Sequence, residues 1–159
     1  SDMHLDLQQS MRKFADAQAV DLREASRFSP VDFRLGVQWL VTQNNMDLAQ
    51  ALAEAGLALY PKSEDILAIS GLLAMTREDW HLAIELLNDL IILQGDRTQP
   101  MTCQMLARAL ACNLNIPEAK DVLEQALKVW PQDPVLMAEY EDIVKAPVVS
   151  VAATSLTPN

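Results

Sequence analysis

The sequence has few of the residues on which catalytic sites, metal sites and disulfide bonds depend. Only two cysteines, two histidines and four glycines occur among 159 residues. Cys103 and Cys112 would lie about 13 Å apart on a helix, beyond the reach of a disulfide bond. We therefore expect reduced thiols, no metal and no cofactor. The isolated glycines form no phosphate-binding loop, and neither His4 nor His81 has the partners that a nucleophile needs. The sequence predicts no enzyme and no small-molecule substrate.

Basic residues are scarce as well. Twelve Lys and Arg stand against 22 Asp and Glu, a net charge of −10, which disfavours binding to nucleic acid or to an anionic membrane surface. Apolar runs such as residues 66–75 are too short to cross a bilayer. No basic segment followed by an apolar run opens the sequence, and Ser1 and Asp2 are expected to be left from expression. We expect a cytoplasmic protein.

What the sequence does contain is a repeat. Ala49, Ala83 and Ala119 stand in similar surroundings at intervals of 34 and 36 residues, and Pro61 and Pro131 lie 70 residues apart. Two helices cross closely only where the side chains are small, because larger ones overpack the contact by roughly 1–3 kcal/mol. We predict that each alanine marks the crossing point of a helical hairpin.

The small residues and prolines at this spacing resemble the tetratricopeptide repeat (TPR), a helix-turn-helix unit. Three copies fit, at residues 30–63, 64–97 and 100–133. The resemblance implies an all-α fold, a right-handed α-α superhelix, or solenoid, of three TPR-like helical hairpins. Leu, Ala or Cys fill the aromatic positions of the motif and Gly95 stands where a proline is usual, so other helical-hairpin repeats stay open.

Capping residues predict where several helices begin and end. Ser29, Ser63, Asn115 and Asp133 each precede proline or acidic residues that suit the first turn of a helix, and Gly95 is expected to close one.

Residues 1–29 are expected to form a helical extension outside the repeat. Leu7, Met11 and Phe14 lie on one stripe of this helix, and something must cover that stripe. Either it caps the first repeat, or it forms the contact of a homodimer.

Residues 134–146 are expected to form a C-terminal capping helix whose acidic side, including Glu139, faces water. Residues 147–159 are expected to form an extended tail, because Pro147 is predicted to end that helix. An apolar groove in this or a neighbouring copy would hold such a tail.

By the same resemblance, the first helix of each repeat contributes to a concave wall that binds a peptide. Arg34 and Arg108 are candidates to anchor a carbonyl or a carboxylate. The alternative for Leu72 and Met75 is ordinary interhelix core. The assigned wall positions are Arg34, Gln38, Val41, Ala68, Leu72, Met75, Thr76, Met101, Gln104, Arg108 and Cys112.

TPR proteins that grip the C-terminal carboxylate of heat-shock chaperones use a clamp of lysine and asparagine. The corresponding positions here hold Arg34, Gln38, Met101 and Met105. A heat-shock co-chaperone is therefore not expected.

The sequence predicts a protein-interaction module, a chaperone or adaptor for an extended or helical segment of a partner. In size, charge and architecture it resembles the type III secretion chaperones that hold translocator subunits. That resemblance implies an apolar ligand segment and homodimerisation through the N-terminal helix. The alternative is a scaffold or assembly subunit that uses its N-terminal helix and outer face.

Overall fold

A computed structural model describes the backbone of residues 3–155 and the side chains of residues 3–145. Within these residues the chain forms nine α-helices and no strand, which confirms the all-α class. A short 3-10 turn, Gly95–Arg97, precedes the seventh helix. The helices are α1 (Leu5–Ala17), α2 (Leu22–Ala25), α3 (Pro30–Thr42), α4 (Met46–Leu59), α5 (Glu64–Thr76), α6 (Trp80–Gln94), α7 (Pro100–Cys112), α8 (Ile116–Val129) and α9 (Pro134–Ser155).

A left-handed backbone residue marks the turn between the two helices of each predicted repeat. Asn44 has a φ of 57°, Glu78 a φ of 59° and Leu114 a φ of 66°. These residues follow one another at the intervals of 34 and 36 that separate the three alanines. Few non-glycine residues adopt this conformation, so its recurrence at the same step is a backbone signature of the repeat.

Side-chain caps confirm the predicted helix starts. Ser29 accepts a hydrogen bond from the amide of Asp32, whose carboxylate accepts one from the amide of Ser29, both at 3.1 Å. Ser63 accepts from the third amide of α5 at 3.4 Å, and Asn115 accepts from the third amide of α8 at 3.4 Å. Asp133 accepts from two amides of α9 at 3.0 Å each. These bonds satisfy amides that have no partner within the helix.

The chain divides into two compact units, residues 1–77 and 78–159, with the boundary between α5 and α6. In the first unit, α3 packs against α1, α4 and α5, while α4 also contacts α2 and α5. In the second unit, α7 packs against α6, α8 and α9, and α8 packs against α9. Ala49, Ala83 and Ala119 are completely buried, as expected of crossing points.

An aromatic string forms the centre of the first unit. The rings of Phe14 and Phe28 lie 6.1 Å apart, those of Phe28 and Phe33 5.4 Å, and those of Phe33 and Tyr60 6.1 Å. The Tyr60 hydroxyl donates to the backbone carbonyl of Phe28 at 2.6 Å. Edge-on and tilted rings at such distances are favourable, and the string ties α1 to α3 and α4.

The N-terminal extension is a cap on the first repeat. Leu7, Met11 and Phe14 are at most 1% exposed within the single chain. A β-carbon at Gly36 of α3 would lie 3.0 Å from the Met11 sulfur, which shows how closely α1 approaches. The assignment of these three residues to a dimer contact is wrong for this chain, because their side chains are already covered by its own core.

The C-terminal helix is longer than predicted. The backbone of α9 is helical through Ser155, so the extended tail expected at 147–159 is not found at 147–155, and 156–159 lie outside the described residues. A proline inside a helix removes one hydrogen bond and its ring crowds the carbonyl four residues earlier, at a cost of about 3 kcal/mol, but the helix can continue beyond it with a kink. The local preference of Pro147 therefore does not set the end of α9, whose backbone stays helical on both sides of it.

Candidate functional site

The predicted wall positions of the first unit lie on two neighbouring helices. Arg34 on α3 and Asp65 on α5 form an ion pair with 3.1 Å between Nε and Oδ1. Ala68 and Leu72 follow Asp65 at helical spacing, so they continue the same side of α5. We call this surface the α3–α5 wall; its residues are Arg34, Gln38, Val41, Ala68, Leu72, Met75 and Thr76.

The α3–α5 wall is open to solvent and apolar at its middle. Leu72 is 49% exposed, so the alternative that it belongs to the interhelix core is wrong. Gln38, Ala68 and Thr76 are exposed as well, while Met75 is half-buried. The surface therefore offers one exposed aliphatic side chain, with the partly buried Val41 and Met75 on the same wall, bordered by small and polar groups.

Arg34 already has a carboxylate partner within the chain. The sequence proposed it as an anchor for a ligand carbonyl or carboxylate, but its guanidinium lies against Asp65. A ligand acid would have to compete with this pair, in which both side chains are partly exposed and the attraction is correspondingly modest.

The wall positions of the second unit lie on α7, and α9 packs beside them. Gln104 donates to Oε1 of Glu139 at 2.5 Å. Arg108 donates to the same oxygen through Nε at 3.1 Å and through Nη2 at 3.0 Å. Met101, one turn earlier on α7, is exposed. We call Gln104, Arg108 and Glu139 together the Glu139 contact.

Glu139 is buried, contrary to the prediction that the acidic side of this helix faces water. The residue is 6% exposed and lies on one side of α9 between Leu136 and Ile143, both buried. A buried carboxylate needs charged and hydrogen-bonding partners, and Arg108 and Gln104 supply them. The expectation failed because a glutamate amid other acids in a helix is normally solvated.

The two cysteines are free and lie near this surface on α7. Burial raises the pKa of the Cys103 thiol. Burial also raises the pKa of Cys112, against an opposing effect of the nearby Arg108 charge. Neither environment is that of an activated nucleophile, because a reactive cysteine needs a lowered pKa.

The first unit also has a cavity that the sequence did not indicate. It holds about 650 Å³ beside α1 and α2. Lys13 donates to Glu24 at 2.8 Å, and Ser10 donates to the other oxygen of Glu24. The hydrogen bonds from Lys13 and then from Ser10 lower the pKa of Glu24, and the Glu24 partner raises the pKa of Lys13. Because the Lys13 ammonium is paired with Glu24, it cannot act as a general base for Ser10. No spacing in the sequence indicates that Ser10, Lys13 and Glu24 lie together.

The described residues offer no set of three or more His, Cys, Asp or Glu side chains arranged to hold a metal ion. In the same part of the chain, no helix combines the length and apolar character needed to cross a membrane.

Solved structures of TPR domains share this fold. No family model and no curated protein matches the sequence. The nearly identical TPR-like repeats assigned to a kinesin light chain of Podosopora anserina superpose with a TM-score of 0.69 and 20% identity, over 94% of this chain and 79% of that one. The first TPR of Spaghetti (RPAP3), bound to an HSP90 peptide, gives a TM-score of 0.64 and 16% identity, over 75% of this chain and 93% of that one.

A MamA mutant is a third such structure, with a TM-score of 0.64 and 17% identity, over 87% of this chain and 81% of that one. At these identities the likeness concerns the fold. The chain has the fold of TPR-like superhelical repeats, as the recurring alanines and turns indicated.

Proposed function

We propose that the chain is a non-enzymatic protein-interaction module, which binds an extended or helical segment of another protein on the first helices of its repeats. The observation that carries this proposal is the α3–α5 wall. There, Leu72 is half-exposed at the centre of a polar and small-residue surface on two adjacent helices. An aliphatic group in such a setting gains from contact with an apolar partner side chain.

The fold supports the proposal as well. The TPR domains of RPAP3 are described as bound to HSP90 and HSP70 peptides. The residues of a heat-shock clamp do not occur here, since Arg34 and Gln38 fill its first two places and Arg34 is paired with Asp65. The ligand of the α3–α5 wall is therefore a segment with an apolar anchor side chain, without need of a terminal carboxylate.

The proposal stays at the level of a protein-binding module. The solved structures named above are described as belonging to RPAP3, MamA and a kinesin light chain, and they lend no support to a secretion chaperone. A cytoplasmic location is an expectation from the sequence. The homodimer through the N-terminal helix depended on a free apolar stripe of α1, which is buried. The scaffold alternative loses that stripe and keeps the outer face.

The test is partner capture with a matched pair of variants. Full-length chain is used to isolate its partner from the native host, and the partner is identified and then purified. Leu72→Asp is expected to weaken binding of the purified partner at least tenfold, because the charge replaces the apolar contact. Leu59→Asp is the control: Leu59 lies on α4 of the same unit and is 45% exposed, close to the 49% of Leu72. Equal binding by Leu72→Asp and wild type would refute the proposal.

A further inference from the structure

The Glu139 contact places a carboxylate of the chain on the positions of α7 that were assigned to a ligand. One oxygen of Glu139 receives all three hydrogen bonds from Gln104 and Arg108. Charge-assisted bonds from a guanidinium are among the strongest side-chain contacts, and this one is shielded on the carboxylate side. We call the side of α7 that carries Gln104 and Arg108 the α7 face. It already binds a carboxylate, and that carboxylate belongs to a residue of helix α9.

The comparison of α9 with α5 shows what is unusual about Glu139. The two helices begin 70 residues apart, the distance that separates Pro61 from Pro131. At this offset the buried Ile66 and Leu73 of α5 correspond to the buried Leu136 and Ile143 of α9. The third buried position of this side is Ile69 in α5 and Glu139 in α9.

An apolar residue would hold α9 in place at least as well as Glu139 does. In this pair the Glu139 side chain is buried while the Arg108 side chain is 52% exposed, so the desolvation cost falls on the carboxylate, and an apolar residue in its place would avoid that cost. A helix that served only as a cap would therefore have no use for a glutamate at this position. The ion pair instead makes the contact selective, since a helix with an acid at this position gives Arg108 and Gln104 a carboxylate to bind, and a helix without one leaves them to solvent.

The hold on α9 is also one-sided. The positions that correspond to the buried Leu67 and Ala74 of α5 are Met137, 47% exposed, and Val144, 36% exposed. Beyond Leu136, Glu139 and Ile143, no described residue of α9 is buried. This face of α9 packs against both α7 and α8, and Tyr140 beside it donates to the exposed Glu124 of α8. Another helix that presents the three buried groups can replace a helix anchored along one face.

We propose that α9 is a resident pseudo-ligand of the α7 face, and that the partner of this face is a helix with an acidic residue flanked by apolar residues three positions before and four positions after it. The spacing of Leu136, Glu139 and Ile143 puts the three groups on one side of a helix. A partner helix with that pattern takes the place of α9 and brings its own carboxylate to Arg108 and Gln104. This inference rests on the proposed function. It specifies which kind of partner helix the second unit binds.

The probe is a labelled, acetylated and amidated peptide with the sequence of residues 132–145, and its binding to the full chain is followed by fluorescence anisotropy. In wild type, α9 competes with the probe. The probe binds only molecules in which α9 is released, so its apparent affinity is the intrinsic affinity multiplied by the fraction of such molecules. Glu139→Lys places a cation against Arg108, and is expected to raise the affinity for the probe at least tenfold.

Glu141→Lys is the matched control, because it makes the same charge change on the same helix at an exposed position. It is expected to leave the affinity within twofold of wild type. The double variant Glu139→Lys with Arg108→Glu restores an ion pair in reverse and removes the site for the acid of the probe, so its affinity is expected to return to or below the wild-type value.

Hydrogen exchange of the amides of residues 137–145 provides a second measurement. Glu139→Lys is expected to speed exchange there at least tenfold and to leave α3 and α5 unchanged. If circular dichroism shows that Glu139→Lys does not fold, Glu139→Gln takes its place with the same expected directions. Equal probe affinity in the Glu139 and Glu141 variants, or unchanged exchange in α9, would overturn the inference. Neither result affects the Leu72→Asp test, so the two proposals fail separately.

Discussion

Arg108 and Glu139 pair across α7 and α9 at 3.0 Å and lie 31 residues apart in the sequence. Arg34 and Asp65 pair across α3 and α5 with the same separation, one helical turn earlier in each helix. Both pairs join the first helix of one repeat to the next helix of the same kind. The position of α9 relative to α7 thus matches that of α5 relative to α3, and α9 is the first helix of a further repeat as well as a cap.

The bond between Tyr60 and Phe28 is expected to contribute measurably to stability. Tyr60→Phe removes the donor to the Phe28 carbonyl and is expected to lower the free energy of unfolding by about 1 kcal/mol. Tyr140→Phe is the control, because the Tyr140 hydroxyl donates to the exposed Glu124, and it should lose less than about 0.5 kcal/mol. Urea denaturation followed by circular dichroism measures both. Equal losses would contradict the stabilising role of the Tyr60 bond.

The burial of α1 predicts a loss of stability without a change in association state. Phe14→Ala is expected to lower the free energy of unfolding by about 3–5 kcal/mol, because it leaves a cavity beside Phe28. Leu5→Ala on the exposed side of the same helix should change it by no more than about 0.5 kcal/mol. Sedimentation velocity should give the same species for both variants as for wild type. Dissociation of a dimer by Phe14→Ala would show that α1 forms the contact rejected above.

Two helical glycines are expected to respond differently to alanine. At Gly56 an added β-carbon would lie 3.1 Å from the ring of Phe33, which is held in the aromatic string. At Gly36 the nearest atoms belong to the flexible ends of Leu52 and Met11. Gly36→Ala is expected to be close to neutral, because the gain in helix propensity, about 1 kcal/mol, offsets the crowding.

Gly56→Ala should be less stable than Gly36→Ala by about 1–2 kcal/mol, since the ring of Phe33 cannot move as easily. Thermal unfolding of the two variants side by side checks this order, and the reverse order would contradict it.

The Glu24–Lys13 pair predicts a pH dependence at both ends of the range. The pKa of Glu24 lies below its ordinary 4.5, so its stabilisation is present above pH 4.5 and is lost as pH falls through the folded-state value. The pKa of Lys13 lies above its ordinary 10.5, so its contribution is present below pH 10.5 and is lost as pH rises further. Glu24→Gln is therefore expected to lower Tm between these limits, and the difference from wild type should shrink beyond each of them.

The control for the pH series is Glu54→Gln, which removes an exposed acid of α4 that accepts a hydrogen bond from Gln50 of the same helix. This variant is expected to change Tm little at any pH. A Glu24→Gln effect that is constant across the pH range would contradict the prediction.

Much of the fold was accessible from the sequence because its signals are local. Ser29, Ser63 and Asn115 begin helices since their side chains reach backbone amides three residues on, and that chemistry needs no tertiary contact. The alanines were informative for a different reason: a repeat shows the same packing constraint several times.

The site was less accessible. The burial of Glu139 depends on Gln104 and Arg108, which are distant in sequence, and the spacing of 31 residues that it shares with Arg34 and Asp65 was the one available signal. The course of α9 past Pro147 depends on how far a formed helix tolerates one missing donor, which local preference does not determine.

The packing of α1 on α3 has a consequence for synthesis. At roughly 5–20 residues per second, α3 is complete on the ribosome about 1–5 seconds after α1. During that delay, Leu7, Met11 and Phe14 have no surface to cover them, so the nascent chain presents an apolar helix face before the partner helix exists. A ribosome-associated factor that binds apolar helix faces could therefore contact the α1 stripe during this interval.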